Sequence, residues 1–171
     1  VQSVGQLDIN VDILGIDLLS LSAHKFYGPR GVGLLYVRHG VALAPMILGG
    51  GQEQDRRSGT ENVAGTVGMG LALATAQTER EDRVLTSSAL RDRLIEGIEA
   101  RVGGVIMTGH RERRLATNAS FCFTDIQADA LVISLDLDGV EASAGSACNS
   151  GAVEVSHVIA ALKLPQEYLA G

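Results

Sequence analysis

Two short apolar runs, at 16–22 and 32–37, stand on either side of a polar, glycine-containing segment at 23–31. Apolar runs of this length that are bounded by glycine are typical of buried strands. The pattern therefore predicts two buried strands joined by a loop, and it makes the polar side chains of the loop candidates for function.

Two helices are predicted next. Residues 63–76 are small and apolar on most faces, as in a buried helix. Residues 79–101 are rich in charge, and they carry an apolar stripe that recurs every four residues, at Leu90, Leu94, Ile98 and Val102. This change in composition predicts a domain boundary near residue 80, with domains at 1–80 and 81–171.

The later part of the chain alternates between strand and helix patterns. Strands are predicted at 105–107, 119–123 and 140–143, and helices at 128–137 and 155–162. The fold class predicted from the whole pattern is α/β.

Charge and cysteine usage exclude several function classes. The formal net charge of −6 argues against nucleic acid or an anionic membrane as a partner and favours a small metabolite. The apolar segment 63–76 is short and broken by glycine and threonine, so no membrane span is expected. Cys122 and Cys148 lie too far apart for a zinc pair, and no metal site is predicted. A reducing, cytoplasmic location is expected.

The segment between the two apolar runs contains Ser22, His24 and Lys25. A lysine at the end of an apolar strand can be desolvated, which favours the neutral amine that forms an imine with a carbonyl cofactor. Ser22 and His24 are then candidates for binding an anion. The alternative is a solvated lysine beside a hydrogen-bonded histidine, and the short motif alone leaves both readings open.

A second candidate is Cys148, which stands in the small-residue stretch 143–151. Small neighbours leave a sulfur accessible and the backbone free to move, so we expect a reactive thiol on a mobile loop, with a buried and inert cysteine as the alternative. Cys122 is flanked by Phe121 and Phe123 in a strand pattern and is expected to be structural.

A third candidate is Thr60, just before the first predicted helix. Its hydroxyl can cap that helix, with Glu61 in the first turn, or it can bind a phosphate at the helix start. Spacing alone does not decide between these roles.

Taken together and in order, three motifs resemble those of the cysteine desulfurases, a branch of the class V aminotransferase-like, fold-type I pyridoxal phosphate enzymes: SLSAHKFYGPRGVGLLYVR, GGGQEQDRRSGTENVAGTVGMG and SAGSACNSG. The resemblance implies the C-terminal part of a cofactor-binding large domain at 1–80 and most of a small α/β domain at 81–171. It also implies a homodimer in the full-length protein.

The resemblance assigns roles to six residues. Lys25 matches the lysine that forms the imine with pyridoxal 5'-phosphate, and Ser22 and His24 match positions that hold the cofactor phosphate. Thr60 matches a residue that reaches the phosphate bound in the partner subunit, and Gln2 matches a glutamine beside the cofactor's phenolic oxygen. Cys148 matches the nucleophile.

The implied reaction converts L-cysteine to L-alanine and leaves sulfur on Cys148 as a persulfide. The implied acceptors of that sulfur are iron–sulfur scaffold or thiolation proteins. An aspartate at the pyridine nitrogen, a histidine on the ring and an arginine for the substrate carboxylate belong to the family, but their positions lie outside this sequence. The 171 residues alone are therefore expected to be inactive and to expose apolar surface. The alternatives are a selenocysteine lyase or other class V enzyme, and a noncatalytic dimerising remnant.

Overall fold

The computed structural model describes residues 1–144 and 155–170. In the first part of the chain the elements are β1, a 3₁₀ turn, β2, α1 and α2, at Leu18–Ser22, Ala23–Phe26, Gly33–Val37, Gln52–Asp55 and Val63–Thr78. The later elements are α3, β3, β4, α4, α5 and a last 3₁₀ turn, at Arg80–Arg101, Val105–Met107, Phe121–Phe123, Ala128–Leu137, His157–Ala161 and Gln166–Tyr168. This mixture of helices and strands agrees with the predicted α/β class.

The described chain forms two compact units, one at Val1–Thr86 and the other beginning at Ser87. The border falls inside α3. The division into domains at 1–80 and 81–171 stays a prediction about the whole fold.

In the first unit, β1 and β2 form an antiparallel pair in which Leu21 lies opposite Leu34 and Leu18 opposite Val37. The two predicted strands are confirmed, but the prediction that both are buried is wrong. Leu21 is buried, whereas Leu18, Leu34 and Leu35 are exposed. A strand points successive side chains to opposite faces, so Leu18 and Leu35 lie on the face away from Leu21. Leu34 shares the face of Leu21 but is 45% exposed, so the sheet packs on the core mainly through β1.

The core of this unit lies between the strand pair, the 3₁₀ turn and α2. Its buried members are Val4, Leu21, Ala23, Phe26, Met69 and Ala76. Half of these residues come from β1 and the turn that follows it, so the turn is fixed to α2 by apolar packing.

The helix predicted at 63–76 is confirmed as α2, but it is not buried on most faces. Val63, Val67 and Leu71 are 67%, 67% and 71% exposed. They recur every four residues along one side of the helix, while Met69 and Ala76 pack into the core from another side. The structure thus exposes one side of α2, which carries Val63, Val67 and Leu71, and packs the side that carries Met69 and Ala76.

In the second unit, β3 and β4 pair in antiparallel fashion, with Ile106 opposite Cys122. The strand predicted at 119–123 is shorter than expected. Its first residues still extend the pairing, because Thr108 N–H donates to Ser120 O at 2.8 Å and the two hydroxyl oxygens lie 2.7 Å apart.

The helix predicted at 79–101 is confirmed as α3, but its apolar stripe is not the buried face. Leu90, Leu94 and Val102 are exposed and Ile98 is half-buried, whereas Ile95 is 3% exposed. Residues four apart are rotated by about 40° on an α-helix, so a strict spacing of four drifts off any one face within a few turns.

The strand predicted at 140–143 is also wrong, since these residues lie outside the helices and strands of the structure. Residue Gly139 has φ +78°, and it ends α4 with Gly139 N–H donating to Asp136 O and Val140 N–H donating to Leu135 O. This pair of bonds is a Schellman motif, which uses the Val140 amide as part of a helix end.

The two other helix predictions differ in accuracy. The helix at 128–137 is confirmed with the same bounds, whereas α5 is shorter than the predicted 155–162. Among the helices at 1–144 and 155–170, none is both long and apolar enough to cross a membrane.

Candidate functional site

The turn that follows β1 carries Ser22, His24 and Lys25 within four consecutive residues. Ala23 and Phe26, at 0% and 3% exposure, anchor the turn in the core, and His24 and Lys25 between them are exposed. Two backbone bonds fix its shape: Ala23 N–H donates to Val32 O at 3.1 Å, and Gly28 N–H donates to Ala23 O at 2.9 Å. A primary amine and an imidazole are therefore presented from a rigid support.

The desolvation expected for Lys25 is not found in the described chain. The apolar end of β1 buries Ala23 and Phe26, while Lys25 stands on the outer side of the 3₁₀ turn and is exposed. The solvated reading of this lysine, left open by the sequence, is the one that these residues show.

The end of the turn is conformationally demanding. Tyr27 has φ +66°, which non-glycine residues rarely adopt, and its N–H donates to Ala23 O. At the next position a Cβ would lie 2.9 Å from the Ala23 Cβ and 3.2 Å from the Ala72 Cβ, so Gly28 is required by close approach.

The groups on this turn fit pyridoxal 5'-phosphate by their chemistry. Lys25 supplies a primary amine for an aldehyde, and Ser22 and His24 supply a hydroxyl and an imidazole for a phosphate. Ser22 is the N-cap residue of the 3₁₀ turn, yet its side chain makes no capping hydrogen bond. Its hydroxyl is therefore not used to hold the turn together.

Gln2 lies in the turn-rich segment before β1 and is exposed. Its carbonyl accepts a hydrogen bond from Gln6 Nε2 at 3.4 Å. Two residues further on, Val4 packs in the same core cluster as Ala23 and Phe26. The segment that carries Gln2 is thus anchored to the same core as the Lys25 turn.

Thr60 is exposed and precedes α2, but it does not cap that helix. The cap is Asn62, whose Oδ1 accepts from Gly65 N–H at 3.0 Å, and the first turn of α2 contains no acidic residue. Both the capping role of Thr60 and the position of Glu61 in the first turn are therefore wrong. The known preference of asparagine for N-cap positions is the signal that could have identified Asn62.

The loop before Thr60 is held by its own polar groups. The buried Ser58 donates from Oγ to Gly50 O at 2.7 Å and from N–H to Ile47 O at 3.3 Å, and Gly59 N–H donates to Gln52 Oε1 at 3.0 Å. Positive φ angles at Glu53 and Gln54 turn the loop back on itself. Thr60 therefore extends from an ordered loop at the entrance to α2.

The two cysteines differ in what the structure describes. Cys122 is buried at 1% exposure in β4, and this burial raises the pKa of its thiol. A buried, protonated thiol is a poor nucleophile, which agrees with the structural role expected for Cys122. Cys148 lies outside the described residues.

Comparisons with known proteins bear on the whole chain. The family model described as Aminotransferase class-V matches residues 1–164. A cysteine desulfurase IscS of Dictyoglomus turgidum is 48% identical over 171 residues, and the match covers 100% of this chain and 43% of the relative. A cysteine desulfurase IscS of Methanosarcina thermophila is also 48% identical, with 100% and 42% covered.

Solved structures give the same result for the fold. A NifS-like protein superposes with a TM-score of 0.87 at 33% identity, covering 100% of this chain and 43% of that one. A NifS-like protein from Rickettsia africae superposes with the same TM-score at 29% identity, covering 99% and 44%. The predicted fold-type I architecture is confirmed, and the chain spans less than half the length of these relatives.

Proposed function

We propose that the chain, which belongs to the class V aminotransferase family, forms part of a cysteine desulfurase. Such an enzyme converts L-cysteine to L-alanine and transfers the sulfur to one of its own cysteines. The observation that carries the proposal is the Lys25 turn, in which an exposed amine stands between buried anchors and beside a hydroxyl and an imidazole. The 48% identity to a cysteine desulfurase supports this activity among those of the family.

Pyridoxal 5'-phosphate, when bound, supplies an aldehyde that condenses with amines and a ring that accepts electrons from the substrate. Lys25 would hold the cofactor through its amine, and the same amine would accept or donate a proton during the reaction. Ser22 and His24 would bind the phosphate, and Gln2 would bind at the phenolic oxygen. Lys25, His24 and Gln2 are exposed and Ser22 is half-buried, which leaves their side chains open to a ligand.

The sulfur transfer is assigned to Cys148. Its thiolate attacks the sulfur of bound cysteine, the carbon–sulfur bond of the substrate breaks, and the electron pair of that bond stays with the carbon fragment, which takes up protons and leaves as alanine. The sulfur remains on Cys148 as a persulfide. The contrast with Cys122, whose burial raises its thiol pKa, supports the choice of Cys148 between the two cysteines.

The assembly we propose is a homodimer. Thr60 is exposed at the end of its ordered loop and would reach the cofactor phosphate bound by the partner subunit. The persulfide sulfur passes to an acceptor protein, such as an iron–sulfur scaffold, in the reducing environment of the cytoplasm, where a free thiol persists.

The experiment that tests the cofactor site uses the fact that the sequence contains two lysines, Lys25 and Lys163. Both are exposed, so Lys163 is a matched internal control for nonspecific reaction with the aldehyde. The chain is mixed with pyridoxal 5'-phosphate, its visible absorption is recorded, and borohydride then fixes the cofactor to lysine for peptide mapping.

We expect an absorption band that disappears in Lys25→Ala, and modification of Lys25 well above that of Lys163. Equal modification of the two lysines would refute a dedicated site. Alanine formation from cysteine, measured in the full-length protein that contains this chain, then distinguishes the activities: if it survives Cys148→Ala, the persulfide step is wrong and direct expulsion of the leaving group, as in a lyase, replaces it.

A further inference from the structure

Helix α2 approaches the Lys25 turn unusually closely at two positions. A Cβ added at Gly68 would lie 2.7 Å from Pro29 Cγ and 3.3 Å from Pro29 Cδ. One helical turn later, the Ala72 Cβ lies 3.2 Å from the position of a Cβ at Gly28. Residues 68 and 72 share one face of the helix, so this face fits against the backbone of 28–29.

The contact at Gly68 tolerates no side chain. Cβ contacts below 3.0 Å are essentially never found in proteins, and the atom approached belongs to a proline ring, which cannot rotate away as a flexible side chain can. Even a single methyl group at position 68 therefore displaces Pro29.

A displacement of Pro29 passes to Lys25 through a short and constrained stretch of backbone. Tyr27 N–H and Gly28 N–H both donate to Ala23 O, and Tyr27 is held at φ +66°. Phe26 and Ala23 pack in one cluster with Met69, the residue next to Gly68 on α2. The turn is therefore internally constrained, so a change in how Pro29 meets α2 is passed to Lys25 and not absorbed between them.

We propose that Gly68 is a positioning residue for Lys25: the missing side chain lets α2 and Pro29 approach, and this approach sets where the 3₁₀ turn holds the lysine amine. The inference rests on the proposed role of Lys25 as the cofactor lysine. It concerns a residue to which the proposed function gives no role, and which would act through Pro29.

The test compares Gly68→Ala with Gly70→Ala. Gly70 lies on the same helix, and a Cβ there meets no atom within 4 Å, so both variants gain the same helix propensity but only one meets Pro29. The readout is the ratio of borohydride-fixed cofactor on Lys25 to that on Lys163, with far-ultraviolet circular dichroism as the measure of folding.

We expect Gly70→Ala to keep the ratio of the unmodified chain and Gly68→Ala to lower it about tenfold. A misplacement of about 1 Å can cost about a hundredfold in reactivity, and a smaller displacement of the lysine amine costs correspondingly less. A folded Gly68→Ala with an unchanged ratio overturns the inference. If Gly68→Ala does not fold, Pro29→Ala is added to remove the obstructing ring atoms; the double variant is expected to recover the ratio, and failure to do so also overturns the inference.

A readout without cofactor separates this inference from the proposed function. If the unmodified chain shows no preference for Lys25, the proposed cofactor site is wrong, and amide hydrogen exchange at Tyr27 and Gly28 then tests the positioning. Exchange is expected to be faster in Gly68→Ala than in Gly70→Ala. Equal exchange in the two variants contradicts the inference whatever the fate of the cofactor site.

Discussion

The guanidinium carbon of Arg83 lies 5.1 Å from the centroid of the Tyr27 ring, within range for a cation–π interaction. The same guanidinium pairs with Glu79 through Nε at 2.8 Å. Tyr27 follows the Lys25 turn and is held at a positive φ, so the interaction stabilises a backbone conformation that a tyrosine rarely adopts. The first turn of α3 thus supports the turn that carries the lysine.

A double-mutant cycle measures this support. The single variants Tyr27→Leu and Arg83→Met and the double variant are compared by urea denaturation. We expect a coupling free energy of about 0.5–1 kcal/mol, as is usual for exposed cation–π pairs. A coupling free energy of zero would show that the stacked geometry contributes nothing to stability.

The helix start at Asn62 gives a second prediction. Asn62→Ala removes the acceptor for Gly65 N–H and is expected to lower the free energy of unfolding by about 1 kcal/mol. Thr60→Ala is the matched control, because Thr60 does not cap α2. Its stability should stay within about 0.5 kcal/mol of the unmodified chain, as for most exposed positions. Equal losses in the two variants would contradict this assignment of the cap.

Much of the candidate site could be predicted from local sequence, and the rest could not, for a physical reason. The turn at 22–25 follows from the apolar run before it and the glycines after it. The contact between Gly68 and Pro29 depends on how two segments distant in sequence approach each other. No periodicity or spacing carries that information, so the need for glycine at 68 becomes visible only in the fold.

The same limit applies to burial. Periodicity located α2, α3 and α4, because helix length and composition are local properties. It misassigned the buried face of α3 and the burial of β2, because these depend on which neighbour each face meets. The strand predicted at 140–143 is wrong for a different reason: Gly139 is a recognisable helix terminator, and the Val140 amide completes the helix end instead of beginning a strand.

Burial of Cys122 predicts a pH dependence of stability. Desolvation raises the thiol pKa in the folded state, so the unfolded chain loses this proton at a lower pH than the folded chain does. The contribution of the buried, protonated thiol to the free energy of unfolding is therefore complete below the unfolded thiol pKa of about 8.5. It is lost as the pH rises from there through the folded thiol pKa. The thermal unfolding midpoint should decline from pH 7 to 10, and this decline should be smaller in Cys122→Ala. An identical decline in both proteins would contradict this origin.

The ion pair between Glu99 and Arg111 predicts that stability is lost at low pH, whereas the Cys122 thiol predicts a loss at high pH. Two hydrogen bonds, at 2.8 and 2.7 Å, join the groups, and the hydrogen bond from Arg111 lowers the pKa of the Glu99 carboxyl. Because the folded pKa is depressed, the stabilisation is present above the unfolded carboxyl pKa and is lost as pH falls through the folded value.

Carboxyl titration by NMR checks this pair. In Arg111→Gln the pKa of Glu99 should rise toward its ordinary value, and high salt should have a similar effect in the unmodified chain because the pair is at the surface. Arg113→Gln is the control, since the Arg113 guanidinium bonds to His110 instead. A Glu99 pKa that rises equally in both variants would assign the shift to general charge rather than to the pair.

The buried face of α3 can be tested with two adjacent residues. Ile95 is 3% exposed and Leu94 is 51% exposed, although the two side chains are of similar size and lie on the same helix. Ile95→Ala leaves a cavity in the core and is expected to cost about 2–4 kcal/mol, whereas Leu94→Ala removes a partly solvated side chain and should cost less than about 1 kcal/mol. Both changes have a similar effect on helix propensity, so the difference between them isolates packing.

Chemical denaturation of the two variants gives the free energies directly. A larger loss of stability for Leu94→Ala than for Ile95→Ala would contradict this assignment, because the face with the predicted stripe would then contribute most of the packing energy of the helix.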